Sequence, residues 1–330
     1  MSEPHCPDRN VPEDPGLPAL SRALDPKSAA EALQDSLGSV VIEKARLLRH
    51  RPGRRALVEY RVLTGSGDRR VLLGKLRAKG LDTKSYRVQK ALREQGVAVP
   101  GVLGTVPELG MWLQERLPGK PVTAGLPGPD GPRLCAASAE LLRALHDSDV
   151  EPLRAPHTLR DEVRILRERL PLVSRARPEL ERRVQRILHA SEGLAREMEL
   201  SRGEARTTGI HRDFYPDQVL QRGGRMFLLD LDLFCRGDPA LDAGNFLAHV
   251  TEQALRDLGD PKALALCEEA FVERFVELSG ESLRRAVHDY ATLTLVRHVH
   301  ISHRIPERKP FTEVILSLCE ERLLARENRQ

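Results

Sequence analysis

The hydrophobic positions change rhythm along the chain. Between residues 39 and 77 they fall in three short runs, Ser39 to Leu48, Arg55 to Leu63 and Arg69 to Arg77, broken by His50-Arg51-Pro52-Gly53 and Gly65-Ser66-Gly67-Asp68. Strand-like runs joined by turn residues predict antiparallel hairpins, because successive strand side chains point to opposite faces. Helical spacing follows over Thr83 to Gln95, with Asp82 placed to cap the start and Gly96 to stop it. Val102 to Val106 and Met111 to Leu117 read as two further strands, and Pro118-Gly119 ends the second. Beyond this point apolar residues recur at helical spacing. Leu134, Leu141, Leu142 and Leu145 line a helix ending at His146, and further helices are expected near 160–170, 178–199, 241–257, 262–278, 282–303 and 311–326. The pattern predicts an α+β protein, with a small antiparallel sheet and one helix followed by a larger, mainly helical part.

Residues 1–28 break the pattern. They carry Pro4, Pro7, Pro12, Pro15, Pro18 and Pro26 among polar residues, and are expected to form a disordered tail for want of apolar surface. Ala29 to Leu37 reads as a short helix that docks it. With 330 residues and 40% hydrophobic content, the chain can bury one or two ordinary cores. No apolar run is long enough to span a membrane, and Met1 to Asn10 is too polar for a secretory leader, so a cytoplasmic location is expected. Cys6, Cys135, Cys235, Cys267 and Cys319 lie far apart, without zinc or redox spacing, and read as free thiols. The net charge is +4, but the arginines are interleaved with acids, which argues for an ion-paired surface and against a nucleic-acid partner.

The candidate chemistry lies in Ile210-His211-Arg212-Asp213-Phe214-Tyr215-Pro216-Asp217-Gln218-Val219-Leu220, followed by Phe227-Leu228-Leu229-Asp230-Leu231-Asp232. An Asp on a rigid loop can take the proton of an attacking hydroxyl. A polar side chain five positions later, with an Asp at the end of the next strand, can hold Mg²⁺ on nucleotide phosphates. The stretch resembles the His-x-Asp-x-x-x-x-Asn loop of the aminoglycoside phosphotransferase and choline kinase-like families. His211, Asp213 and Asp230 match, and Gln218 stands in place of Asn. Gly237-Asp238-Pro239-Ala240-Leu241-Asp242 is similar to the segment that follows in the antibiotic kinase-like branch.

The resemblance implies a bilobal protein-kinase-like fold, with a nucleotide-binding lobe over 29–117 and a catalytic and substrate-binding helical lobe over 118–330. It also implies Mg²⁺ and ATP or GTP as co-substrate. Asp213 becomes the catalytic base, or the residue that orients the acceptor hydroxyl. Asp230 and Gln218 become metal ligands, with Asp217 or Asp232 as possible helpers, and His211 a residue that holds the loop. Lys75 would contact the nucleotide phosphates, and backbone groups from Gln114 to Leu117 would meet the purine at the hinge. The turn at Arg51 to Arg55 lacks the glycines of a protein kinase, although its backbone amides, with Arg54 or Arg55, could touch phosphate. Where the family places the Glu that holds the Lys, this chain has Ser85, with Gln89 one turn later as a substitute. Asp242 is expected to accept backbone hydrogen bonds from the catalytic loop.

Tyr290, Arg297, His298, His300 and His303 are candidates for the acceptor site, with a metal pair at His300 and His303 the less favoured reading. The expected partner is a small hydroxylated metabolite or an aminoglycoside-like acceptor. The mixed charge of Arg322 to Gln330 disfavours a polycationic antibiotic. Ser85 and Gln218 keep open an alternative: a catalytically impaired nucleotide-binding pseudokinase that acts as a binding module.

Overall fold

The structure is a computed structural model that describes residues 13–202 and 207–327; residues 1–12, with Cys6 and the first part of the expected tail, lie outside them. The chain divides into two compact units. One takes the chain to Glu94 and resumes over Val99–Pro118; the other holds Gln95–Ala98 and Gly119–Gln330.

The first unit contains α1 (Ala19–Leu24), α2 (Pro26–Leu37), β1 (Val40–Arg51), β2 (Arg55–Thr64), β3 (Arg69–Arg77), α3 (Thr83–Glu94), β4 (Val102–Val106) and β5 (Met111–Glu115). Its strands form one antiparallel sheet in the order β1-β2-β3-β5-β4. Register sorts the side chains between two faces. Val58, Gly74 and Leu113 lie in one cross-strand row and Ala56, Leu76 and Met111 in the next, all buried. Helices α1 and α2 cover this face with Leu20, Ala23, Ala29 and Leu33, and the buried Tyr60 hydroxyl donates to the Ala23 carbonyl at 2.8 Å.

This corrects the described part of the expected tail, residues 13–28. Within residues 13–28, Leu17, Leu20 and Ala23 are buried in the sheet's core. Two of the prolines mark helix starts: Pro18 caps α1 and Pro26 opens α2, positions where a missing backbone N–H costs nothing. The sheet supplies the apolar partner that the segment lacks by itself.

The second unit contains β6 (Lys120–Pro121), α4 (Gly131–His146), α5 (Leu159–Ala176), α6 (Glu181–Arg202), β7 (Thr208–Ile210), β8 (Val219–Arg222), β9 (Arg225–Leu228), β10 (Cys235–Gly237), α7 (Pro239–Leu258), α8 (Ala265–Ser279), α9 (Arg284–Arg304) and α10 (Thr312–Glu327). Strands β7 and β10 pair antiparallel, so residues 211–234 leave one point of the helical body and return to it. Inside that excursion β8 and β9 form a hairpin with β6 beside β8. Among the described residues no helix is long and apolar enough to cross a membrane.

The body rests on a close approach of α7 and α9. A Cβ on Gly244 would fall 2.5 Å from the Tyr290 Cβ, 2.7 Å from the Ala291 nitrogen and 2.7 Å from the Val287 carbonyl oxygen. Two of these are backbone atoms and cannot swing aside. Gly244→Ala should therefore push the helices apart and cost about 1–3 kcal/mol, the usual range for overpacking. Urea unfolding should show a lower midpoint at unchanged slope; an unaltered midpoint would mean that the contact relaxes freely.

Candidate active site

The candidate catalytic loop begins where β7 ends. Arg212 has φ +68°, a left-handed conformation uncommon for a residue with a Cβ. Asp242, in the first turn of α7, occupies the resulting concavity. Its Oδ2 accepts from the His211 backbone N–H at 2.7 Å, and its Oδ1 accepts from the Arg212 N–H at 2.6 Å. The His146 ring, at the end of α4, reaches Oδ2 at 3.0 Å through Nε2. Asp242 is fully buried. A buried carboxylate must be met by donors, and here the donors are the loop's own backbone.

His211 carries the constraint across to the next segment. Its Nε2 donates to the Leu229 carbonyl at 2.7 Å, and its Nδ1 accepts from the Asp213 N–H at 3.3 Å. One buried imidazole thus ties the residue beside Asp230 to Asp213 itself. Asp230 also has positive φ, +54°, at the exit from β9. Gln218 is buried, and its carbonyl accepts from the Leu229 N–H at 2.8 Å. Phe214 fixes the middle of the loop, with its ring stacked on Phe246 at 5.4 Å.

Asp213 is half-buried, and burial pushes its carboxyl up from the ordinary range. His211 and Arg297 pull the other way, while Asp230 and Asp242 add to the rise. Asp213, His211, Gln218 and Asp230 are thus brought together. Asp217 is not: it is exposed, and its Oδ1 accepts from the Thr123 hydroxyl at 2.5 Å. Asp232 is half-buried on the turn after Asp230.

Other sequence candidates lie in the sheet unit. Lys75 projects from the face opposite α1 and α2, in one cross-strand row with Leu57 and Trp112. Ser85 donates to the Asp82 cap through its N–H and its hydroxyl, at 3.1 and 2.8 Å. Gln89 is engaged as well: its amide donates to the Pro100 carbonyl at 2.8 Å and to the Gln114 side chain at 3.3 Å. Lys75 instead lies over the Trp112 ring, 4.7 Å from the centroid, and Tyr86 meets that ring edge-on at 6.1 Å. A cation over an indole face is a recognised attraction, of about 0.5–2 kcal/mol.

The turn between β1 and β2 also differs from expectation. The Gly53 N–H donates to Asp14 at 2.9 Å, the Arg54 N–H donates to the Arg51 carbonyl at 3.0 Å, and His50 meets Asp14 at 2.8 Å. Those two amides are committed within the unit. At the end of β5 the N–H groups of Glu115 and Arg116 donate to Gly101 and Val71, while Leu117 follows outside any helix or strand.

Several residues escaped sequence reasoning. His146 was noted as a helix end and proves to be a ligand of Asp242. Asn245 donates to the Phe214 carbonyl at 3.0 Å and accepts from Arg297, whose other arm reaches the buried Glu162, itself 2.6 Å from His157. Burial alone would raise Glu162, but Arg297 and His157 outweigh it and hold the carboxyl below the usual range. Glu59 on β2 is buried between Arg46 at 3.1 Å and Arg116 at 2.9 Å. The signal in each case was a polar residue at a core position, legible only once a face is known. Of the acceptor candidates, Tyr290 packs at the α7–α9 crossing. Among the described residues no group of three or more His, Cys, Asp or Glu is placed to hold a metal. Cys135, Cys235, Cys267 and Cys319 are free thiols.

The chain as a whole has relatives. Residues 59–281 match the phosphotransferase enzyme family. The chain belongs to that family. Solved structures share its protein-kinase-like fold: a choline kinase from Cryptosporidium parvum (TM-score 0.63, 11% identity, 92% of this chain and 97% of that one) and a choline/ethanolamine kinase family protein from Mesorhizobium loti (0.59, 17%, 84% and 88%). A third is an aminoglycoside phosphotransferase from Streptomyces rimosus (0.51, 16%, 82% and 99%). No curated protein sequence matches the chain.

Asp242→Asn replaces one accepting oxygen with a donor that faces N–H groups, and should cost about 3 kcal/mol of stability. The melting temperature should fall by several degrees. A variant that melts like the wild type would show that the loop is held by other means.

Proposed function

We propose that this phosphotransferase is a small-molecule kinase that moves the γ-phosphoryl group of ATP or GTP to a hydroxyl, with Mg²⁺ bound. The observation that carries the reading is the His211 tether, which bonds to the Asp213 N–H and the Leu229 carbonyl and so fixes Asp213 and Asp230 relative to each other. Choline, ethanolamine and aminoglycoside kinases on this fold supply the precedent for small acceptors.

The residues fit a hard cation. Asp230 supplies carboxylate oxygen and Gln218 a carbonyl, and Mg²⁺ ordinarily takes only one or two protein ligands beside phosphates and water. A bound cation would offset the repulsion between Asp230 and Asp213, and when present it supplies charge neutralisation at the transferring phosphoryl group. Asp213 orients the acceptor hydroxyl and receives its proton as the oxygen bonds to the γ-phosphorus. The bond from that phosphorus to the bridging oxygen breaks, and the nucleoside diphosphate leaves with the electron pair. Lys75 pairs with the nucleotide phosphates, with its amine directed by Trp112. The purine edge meets backbone at Leu117, beyond the committed amides of Glu115 and Arg116, and the buried Gln114 side chain borders it.

The departures at Ser85 and Gln218, with no carboxylate ion-paired to Lys75 among the described residues of its unit, favour a second reading, a nucleotide-binding pseudokinase. Titration with MgATP and MgGTP separates the readings. A ligand of the folded state raises the melting temperature by mass action. The wild type should shift with one nucleotide, Asp230→Ala should lose the Mg²⁺-dependent part, and Asp213→Ala should keep the shift but lose at least 100-fold in turnover. A nucleotide shift with no turnover on any hydroxyl compound would select the pseudokinase; no shift at millimolar nucleotide would end both readings.

The pH profile offers an independent check. Asp213 works as the carboxylate, and a raised pKa means that it takes a proton at higher pH than an ordinary Asp. The acid limb of kcat/KM, which reports the free enzyme, should therefore lie above about 4. A limb at or below that value would remove Asp213 from the proton-accepting role.

A further inference from the structure

One face of α7 fastens the chain on both sides of Asp213. Before it, the His211 and Arg212 N–H groups donate to Asp242; after it, the Phe214 carbonyl accepts from Asn245 Nδ2 at 3.0 Å. Asp242 and Asn245 stand three residues apart on the helix, so they share a face one turn from each other. Asp242 can be oriented in only one sense, because both of its oxygens accept. The Asn245 amide is different: one end donates and the other accepts, and a flip would turn its oxygen onto the Phe214 carbonyl.

Arg297 on α9 removes that freedom. Its Nη2 donates to Asn245 Oδ1 at 2.5 Å, and a guanidinium has only donors, so the amide oxygen must face it and the amide nitrogen is left for the loop. Arg297 is aimed in turn by Glu162 of α5. Glu162 Oε2 accepts from Arg297 Nη1 at 3.2 Å, and its Oε1 lies 2.6 Å from the His157 ring. Glu162 and Asn245 are buried, so neither has water as a substitute partner. The charges run the same way as the hydrogen bonds. Arg212 of the loop acts on Glu162 together with Arg297 and His157, and Arg297 with His211 opposes Asp230 and Asp242 at the Asp213 carboxyl. A buried ion pair is weak evidence for stability, since apolar residues of similar volume often serve as well. Its effect here is directional.

We infer that Arg297, aimed by Glu162, is a positioning residue for phosphoryl transfer: through the Asn245 amide it holds the chain just beyond Asp213, and so sets the direction in which the Asp213 carboxylate meets the acceptor hydroxyl. The inference rests on the kinase reading above and adds to it a device outside the loop itself.

The test uses the full chain with MgATP and MgGTP and, as acceptors, ethanolamine, choline, glucosamine, kanamycin, ribose and glycerol. The nucleotide and acceptor that release nucleoside diphosphate fastest above the acceptor-free rate are carried forward. Arg297→Met alone would strand the Glu162 charge in the interior, so the pair is removed together, as Glu162→Gln with Arg297→Met. That protein should melt close to the wild type, because neutral side chains replace both charges at once. Its kcat should nevertheless fall about tenfold or more, as misplacement of a reacting group does, with the nucleotide KM within about twofold. Asn245→Asp keeps an acceptor for Arg297 and exchanges the donor for a second acceptor facing the Phe214 carbonyl. It should show the same split between kcat and KM, and added to the paired substitution it should cost little more, since both act through one hydrogen bond.

A paired variant that keeps both its melting temperature and its kcat would overturn the inference, because the ion pair would then be a packing element only. Should the paired variant not fold, Asn245→Asp decides alone, and an unchanged kcat there is equally fatal. Wild-type protein that binds nucleotide and turns over none of these acceptors would instead sink the kinase reading, and this inference with it.

Discussion

One buried carboxylate organises the loop that carries Asp213 in the helical unit. Asp242 has no access to water, so its charge must be balanced by donors within the protein, and the donors it takes are two consecutive backbone N–H groups and the His146 ring. Two adjacent amides can point at one carboxylate only if the chain turns sharply between them, which is what the positive φ of Arg212 provides. The strained turn and the buried charge therefore stabilise each other. The return is positional: Asp213, next in the chain, is set by α7 and α4 together and not by loop residues alone. His211 extends that control to the segment carrying Asp230.

The same logic explains why the loop tolerates unusual residues. Positions that bear the loop's shape hold their interactions through groups that cannot be replaced without loss: Asp242 oxygens, the His211 ring, the Asn245 amide and the Phe214 ring packed on Phe246. Gln218 offers the same kind of oxygen as Asn from a longer stem, while its backbone stays fastened to Leu229. In the sheet unit, the place of the missing acid beside Lys75 is taken by an aromatic face. That interaction is weaker and less directional than an ion pair, and it fixes where the amine lies more than it fixes its charge.

Much of the architecture was legible in the sequence because it rests on local rules. Strand and turn chemistry placed β2 and β3 within a residue or so, and helical spacing with capping residues placed α3 and the helices of the body. The failures share a cause. The segment before Pro26 looked unable to fold because its few apolar residues were judged alone, and the sheet face that buries Leu17, Leu20 and Ala23 is built by residues 40–113. Ser85 and Gln89 were correctly placed on α3, but their partners, Asp82, Pro100 and Gln114, depend on how that helix lies against its neighbours.

By itself, then, the sequence determined the order of elements and singled out a candidate loop, since His211, Asp213, Asp230 and Asp242 stand at spacings that the chain's local geometry makes meaningful. Tertiary structure alone decided what each side chain touches. Trp112 lies 37 residues from Lys75, His146 lies 96 from Asp242, and Tyr215, His249 and His298 come from a loop and two helices. Contacts over such separations follow from register between strands and from the close crossing of α7 and α9 at Gly244. Those depend on the packing of whole faces, a property that no short window of sequence contains.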